Sequence, residues 1–142
     1  MSLASLALRT SNITINQAPF QLLTTAAVKC RLLELSIVSA AATAASYSFG
    51  RPAAAAVTPG TTSTFQRDDS ADPACVTTVS LTYATSPTNP TNHLRRWNSA
   101  ATIGVGIVWT FPRGVVVPVS GALTLANITA SAALDVSLAI DE

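Results

Sequence analysis

Ala101 to Asn127 reads A-T-I-G-V-G-I-V-W-T-F-P-R-G-V-V-V-P-V-S-G-A-L-T-L-A-N, and the fold class turns on this stretch. Ile103, Val105, Ile107, Trp109 and Phe111 occupy every second position. Thr102, Gly104, Gly106 and Thr110 lie between them, and only Val108 is off pattern. Alternate side chains of a strand point to opposite faces, so one face here is strongly apolar. Pro112-Arg113-Gly114 carries turn chemistry and is expected to break the run. Val115, Val117 and Val119 continue the alternation, Ser120-Gly121 turns the chain, and Leu123 and Leu125 resume it. The pattern is that of a half-buried antiparallel sheet whose apolar face the rest of the chain must cover.

The flanking sequence repeats the same period. Upstream, Val79, Leu81 and Tyr83 alternate with Thr78, Ser80 and Thr82 and read as one strand. Thr85 to Asn92, with two prolines and two asparagines, reads as an exposed loop, and Leu94 to Ala100 leads into the opening stretch. Tyr47 and Phe49 share a face, and Cys30 to Ser39 sets Leu33, Leu35 and Ile37 on one side with Glu34 and Ser36 opposite. Ala40 to Ala45 is Ala-rich but too short for a stable helix. Leu6 and Leu8, then Ile13 and Ile15, alternate with polar or small residues. At the far end Leu134, Val136, Leu138 and Ile140 alternate with Asp135, Ser137, Ala139 and Asp141, giving one greasy and one acidic face. About eight to ten short strands, with turn signals about every 8–12 residues, predict an all-β antiparallel sandwich. At this length the eight-stranded jelly roll is the preferred form. An immunoglobulin-like sandwich is second, because both tryptophans follow both cysteines. Residues 1–142 form a single domain on this reading, with residues 1–20 as a candidate extended N-terminal arm.

Composition narrows the function. Hydrophobic residues make up 49% and charged residues 11% of the 142, against about a quarter charged in ordinary soluble domains. Much of the surface must therefore be Ala, Thr, Ser and Asn, which suits coverage by partner subunits. A net charge of +1 provides no field for nucleic acid or anionic lipid. Arg95-Arg96 is the sole adjacent basic pair. No run reaches the roughly 18 apolar residues of a spanning helix. Met1 to Thr10 does not resemble a secretory signal. Cys30 and Cys75 read as two buried thiols.

Chemistry-bearing motifs are sparse. His93 is the single histidine, so no two-histidine metal site can form, and no G-x-S-x-G elbow is present. Cys30 or Cys75 could in principle pair with His93 as nucleophile and base, but no local signature supports this. Asp68, Asp69 and Asp72 form the densest acidic cluster, and their spacing does not fit an EF-hand loop. Gly104-Val105-Gly106 lies in a strand pattern and suits a bulge or close backbone approach better than a phosphate cradle. Asn12-Ile13-Thr14 and Asn127-Ile128-Thr129 match the glycosylation sequon. Tyr47, Tyr83, Trp97 and Trp109 would have to converge to make a sugar platform. No catalytic, cofactor-binding or metal residue is assigned, and no cofactor is expected.

The segment W-T-F-P-R-G-V-V-V-P-V-S-G-A-L-T-L-A-N (Trp109–Asn127), followed by an alternating strand ending Asp141-Glu142, resembles small virion proteins of tailed bacteriophages. In those a W-x-F-P-x-G strand-turn precedes a P-x-x-G-x-L-x-L-x-N strand. Arg95-Arg96-Trp97-Asn98 is similar as well. The match spans roughly the last third of the chain and rests on turn and packing residues. The resemblance implies a jelly roll that assembles as a homotrimer and binds the major capsid protein between capsomers. It implies a decoration or cement subunit on the capsid surface, assembled in the host bacterial cytoplasm. It implies no nucleic-acid or membrane partner. A tail, collar or fibre module of the virion, or a receptor- or carbohydrate-binding sandwich, are the alternatives. The N-terminal strand and Thr85–Asn92 are the expected attachment segments.

Overall fold

The computed structural model describes residues 2–11, 17–54, 57–130 and 132–142. Strands along the first half are β1 (Leu3–Arg9), β2 (Phe20–Leu23), β3 (Cys30–Ser39), β4 (Ala45–Gly50), β5 (Val57–Pro59), β6 (Thr62–Thr64) and β7 (Gln66–Arg67). The second half adds β8 (Thr78–Ser80), β9 (Tyr83–Thr85), β10 (His93–Ser99), β11 (Gly106–Val117), β12 (Ala122–Asn127) and β13 (Leu134–Asp141). No helix occurs among the described residues. The protein is an all-β sandwich of antiparallel sheets.

One sheet runs β11-β3-β13-β1-β7 and the other β10-β4-β12-β2-β8-β6, with β5-β9 as a separate ribbon. The long pairings nest. Strand β1 pairs with β13 and β3 with β11 in the first sheet, while β2 pairs with β12 and β4 with β10 in the second. The chain is one long antiparallel hairpin rolled over on itself, with successive pairs assigned to alternate sheets. Inward residues follow the period-2 pattern. Leu134, Val136, Leu138 and Ile140 are all buried, as are Leu35 and Ile37 on β3 and Tyr47 and Phe49 on β4. The two layers meet through aromatic rings, with Phe49 6.1 Å from Trp109 and 6.3 Å from Phe111 between centroids.

Five expectations need correction. Leu3–Arg9 is not an arm, because β1 is paired along its length with β13 and also touches β7. Ile13 and Ile15 fall outside the described residues. Pro112-Arg113-Gly114 does not end the strand, since β11 continues to Val117 with a register shift between Thr110 and Val115. An edge strand tolerates proline because its outer N–H has no ladder bond to lose, and Gly114 takes the positive φ of 66° that the bulge requires. Thr78–Tyr83 is not one strand. It breaks at Leu81–Thr82, where the Thr82 carbonyl accepts Gly60 N–H at 2.7 Å, so Tyr83 pairs in the separate ribbon. The alternation from Ile103 begins only at Gly106, and Ile103 itself is 66% exposed in the turn before it.

The fifth correction concerns Thr85–Asn92, which does not stand free. Gln21, Ser48, Thr124 and Ala126 point away from the inter-sheet core, yet none has exposed surface. The proline-rich segment helps cover them. Pro87 and Pro90 are buried, Ala18 N–H donates to Ser86 Oγ at 3.1 Å, and Thr88 N–H donates to Ala54 O at 3.0 Å. Gly50 makes the closest approach. A Cβ there would lie 2.9 Å from the Asn92 carbonyl oxygen and 3.1 Å from Pro90 Cβ, so only glycine lets the segment lie down.

Candidate functional site

The residues singled out by sequence do not converge on a catalytic centre. His93 is exposed on β10, with Nδ1 hydrogen-bonded to Ser48 Oγ, and neither cysteine is beside it. Cys30 and Cys75 are free and buried. Burial pushes both thiols up to about 11, the opposite of what a nucleophile needs. A thiol reagent is therefore expected to react slowly with the native protein and to titrate both cysteines on unfolding. Fast native reaction would contradict the burial.

The Asp68–Asp72 loop holds itself together. Asp69 Oδ1 accepts Ala71 N–H at 2.9 Å and Asp68 Oδ1 accepts Ser5 Oγ–H at 3.3 Å. Among the described residues, no group of three His, Cys, Asp or Glu side chains could hold a metal ion. Gly104 occupies the turn before β11 with φ 84°, and Gly106 opens the strand, where a Cβ would meet Ile37 O at 2.6 Å. Close backbone approach accounts for Gly106. The Asn127 side chain is fully buried, so its sequon cannot be reached in the folded protein. Asn12 lies outside the described residues.

Of the four scattered aromatics, three converge. Tyr47 stacks on Trp97 at 5.6 Å between centroids, and Trp109 joins them through Phe49. Tyr83 is elsewhere, donating its hydroxyl to Ser80 O at 2.7 Å. The cluster is core rather than platform: Tyr47 is 1% and Trp109 7% exposed. Burial pushes the Tyr47 hydroxyl up to about 12.

One ion pair is buried among the described residues. Arg67 Nη2 contacts Glu142 Oε1 at 3.1 Å, and the two side chains are 10% and 5% exposed. The same carboxylate accepts Val76 N–H at 3.0 Å and Thr77 N–H at 2.8 Å. Arg67 also donates to Pro73 O at 2.8 Å and Ser2 O at 2.9 Å. Each donor is matched to an acceptor, which marks a structural clamp.

The surface built for contact is the side where two sheet edges meet. Strands β10 and β11 are the terminal strands of their sheets, and Arg95 bridges them, its guanidinium 5.1 Å from the Phe111 ring centroid. Arg31 Nη1 donates to Arg113 O at 3.0 Å and Arg51 Nη2 to Val116 O at 2.8 Å, blunting part of the β11 edge. Arg95, Phe111, Pro112, Arg113, Gly114 and Val115 line a hollow of about 410 Å³. Arg31, Arg51, Arg95, Arg96 and Arg113 are all exposed, and none lies within ion-pairing distance of an acid among the described residues. Of these five only Arg95 and Arg96 are neighbours in sequence. The other three are far apart in the chain and meet only through β3–β11 and β4–β10 pairing. Comparison with protein-family models, with curated proteins and with solved structures finds no match for this chain.

Proposed function

We propose that the protein is a structural virion component, a decoration or cement subunit that stabilises a phage head by binding the major capsid protein between capsomers. The observation that carries this reading is the outer face of the five-stranded sheet. Ser5, Ala7, Ser36, Thr110, Ser137 and Ala139 alternate with the core residues of their strands and present small side chains there. Val108, 56% exposed, adds apolar area beside them. Glu34, between Thr110 and Ala139, and the Arg9–Asp135 pair are charged groups on the same face, which for the rest binds by shape through many small contacts. The resemblance at Trp109–Asn127 supports the same reading. The nested strand order supports the finer assignment of the sandwich as an eight-stranded jelly roll, with β5 to β9 inserted between β4 and β10. Because β1 and Thr85–Asn92 lie on the body, attachment passes from those segments to this face. A homotrimer on the capsid surface belongs to the same proposal.

Imaging of the intact particle tests it. Density on the shell between capsomers is expected. Density confined to the tail, or none on the shell, would refute the cement role. Particles lacking the protein should release DNA at a lower temperature than complete ones, and unchanged heat resistance would remove the stabilising role.

A further inference from the structure

The charges of this molecule are separated. Arg9 is paired with Asp135 and Arg67 with Glu142. Of the remaining cations, Arg31, Arg51, Arg95, Arg96 and Arg113 gather along the β10/β11 side, leaving only Lys29. Of the remaining acids, Asp68, Asp69 and Asp72 follow β7, which is the opposite edge of the sheet that β11 begins. Glu34 and Asp141 are the other two. Four strand spacings separate β11 from β7, about 19 Å. That exceeds the screening length of about 8 Å at physiological salt, so the two ends do not neutralise each other within one molecule.

Exposed apolar side chains follow the same division. Leu94 and Val116, each 37% exposed, flank the arginines. Leu3 at 51% and Val76 at 43% are exposed at the acidic end. Asp68 N–H donates to the Leu3 carbonyl at 3.1 Å, which fixes that leucine beside the acidic loop. Each end thus offers an excess of one sign of charge together with uncovered hydrocarbon, although Glu34 lies opposite Thr110 of β11 and Asp141 opposite Arg31.

We infer that the β10/β11 edge is a docking site for a second copy of this chain, which presents its Asp68–Asp72 loop to it head to tail. Arg95 and Arg113 bracket the hollow floored by Phe111 and Val115, and guanidinium forks match carboxylates in bidentate geometry. The loop is pre-shaped by the Asp69–Ala71 and Asp68–Ser5 hydrogen bonds, and both carboxyl groups stay exposed. The contact is heterologous, with different patches on the two partners. A nucleic acid would use the same arginines, but the uncovered apolar side chains and a net charge of +1 favour protein. This inference stands on charge and exposure and does not depend on the virion reading.

Sedimentation velocity of the full chain tests it, in about 50 mM and about 500 mM salt. The wild type is expected to self-associate, with affinity falling about tenfold or more at the higher salt. Arg95→Glu/Arg113→Glu and Asp68→Lys/Asp69→Lys should each abolish association. An equimolar mixture of the two should restore it, because the intact edge of one variant still meets the intact loop of the other. Circular dichroism checks folding, and Arg113→Glu alone replaces the first variant if loss of the Arg95–Phe111 contact prevents folding. A wild type that stays monomeric at low salt and the highest soluble concentration overturns the inference. So does association indifferent to these substitutions, or a mixture that fails to reassociate. Binding of a single-stranded oligonucleotide at the edge without self-association overturns it as well.

Discussion

Glu142→Ala is expected to lower the unfolding free energy by about 3–5 kcal/mol, because it leaves a buried guanidinium without its counter-ion. The Glu142 carboxylate is 5% exposed and serves three donors: Arg67 Nη2, Val76 N–H and Thr77 N–H. Removing it orphans all three at once. The melting temperature should fall by about 10 °C. Arg67→Met/Glu142→Leu removes both charges and should cost much less, since no buried ion is left alone. The effect should also depend on pH. Desolvation pushes the Glu142 carboxyl up, but hydrogen bonds, those from the Val76 and Thr77 amides among them, outweigh it, and the net shift is below the ordinary 4.5. A depressed folded-state value stabilises above the unfolded value, and that contribution is lost as pH falls through the folded one. The gap between wild type and Glu142→Ala should therefore be widest at neutral pH and narrow once pH falls below about 4.5 towards the lower folded-state value. Asp135, held down by its hydrogen bonds from Arg9, acts in the same direction but is exposed and common to both proteins. Urea denaturation at neutral and acid pH measures this. A neutral-pH loss under about 1 kcal/mol would show that the clamp is not closed in solution.

The strands that period-2 patterning finds well are those buried on one face between two neighbours. Strand β3 occupies Cys30–Ser39 as read, though a register shift at Leu33 puts Leu32 and not Leu33 in the core, and all four apolar positions of β13 face the core. Patterning failed where a strand left its sheet or lay at an edge. Nothing in Val79-Ser80-Leu81-Thr82-Tyr83 marks the point where β8 ends and the chain crosses to the ribbon, because that break is set by Gly60, some twenty positions earlier. Pro112 and Gly114 look like punctuation until β11 is known to be an edge, where a bulge uses the same residues. Thr85–Asn92 has loop composition, and composition cannot say what a loop covers. The basic edge was hidden for a related reason: Arg31, Arg51, Arg95 and Arg113 stand on or beside four different strands, and only long-range register brings them together. Glu142 shares the parity of Leu134, Val136, Leu138 and Ile140, so its inward turn to Arg67 follows the period, but its partner could not be read from sequence.

Phe49→Ala should cost a further about 3–5 kcal/mol by a different route, a cavity at the junction of the two sheets. Phe49 has no exposed surface and lies opposite Leu125 on β12 and Arg95 on β10. Its ring is the one that reaches both Trp109 and Phe111 on the facing sheet. Each such aromatic pair contributes about 0.5–1.5 kcal/mol beyond area burial. Alanine forfeits both pairs and the hydrocarbon packing around them, and β4 and β12, each hydrogen-bonded on both sides, hold their spacing and do not close the gap. Phe49→Leu keeps most of the volume and should lose clearly less. Val108→Ala, at an exposed position of β11, should stay within about 0.5 kcal/mol and serves as the control. Denaturant unfolding followed by tryptophan fluorescence measures all three, and the Phe49→Ala native spectrum should shift as Trp109 loses its neighbour. If Phe49→Ala lost no more than Val108→Ala, the aromatic bridge would not be what joins the two sheets.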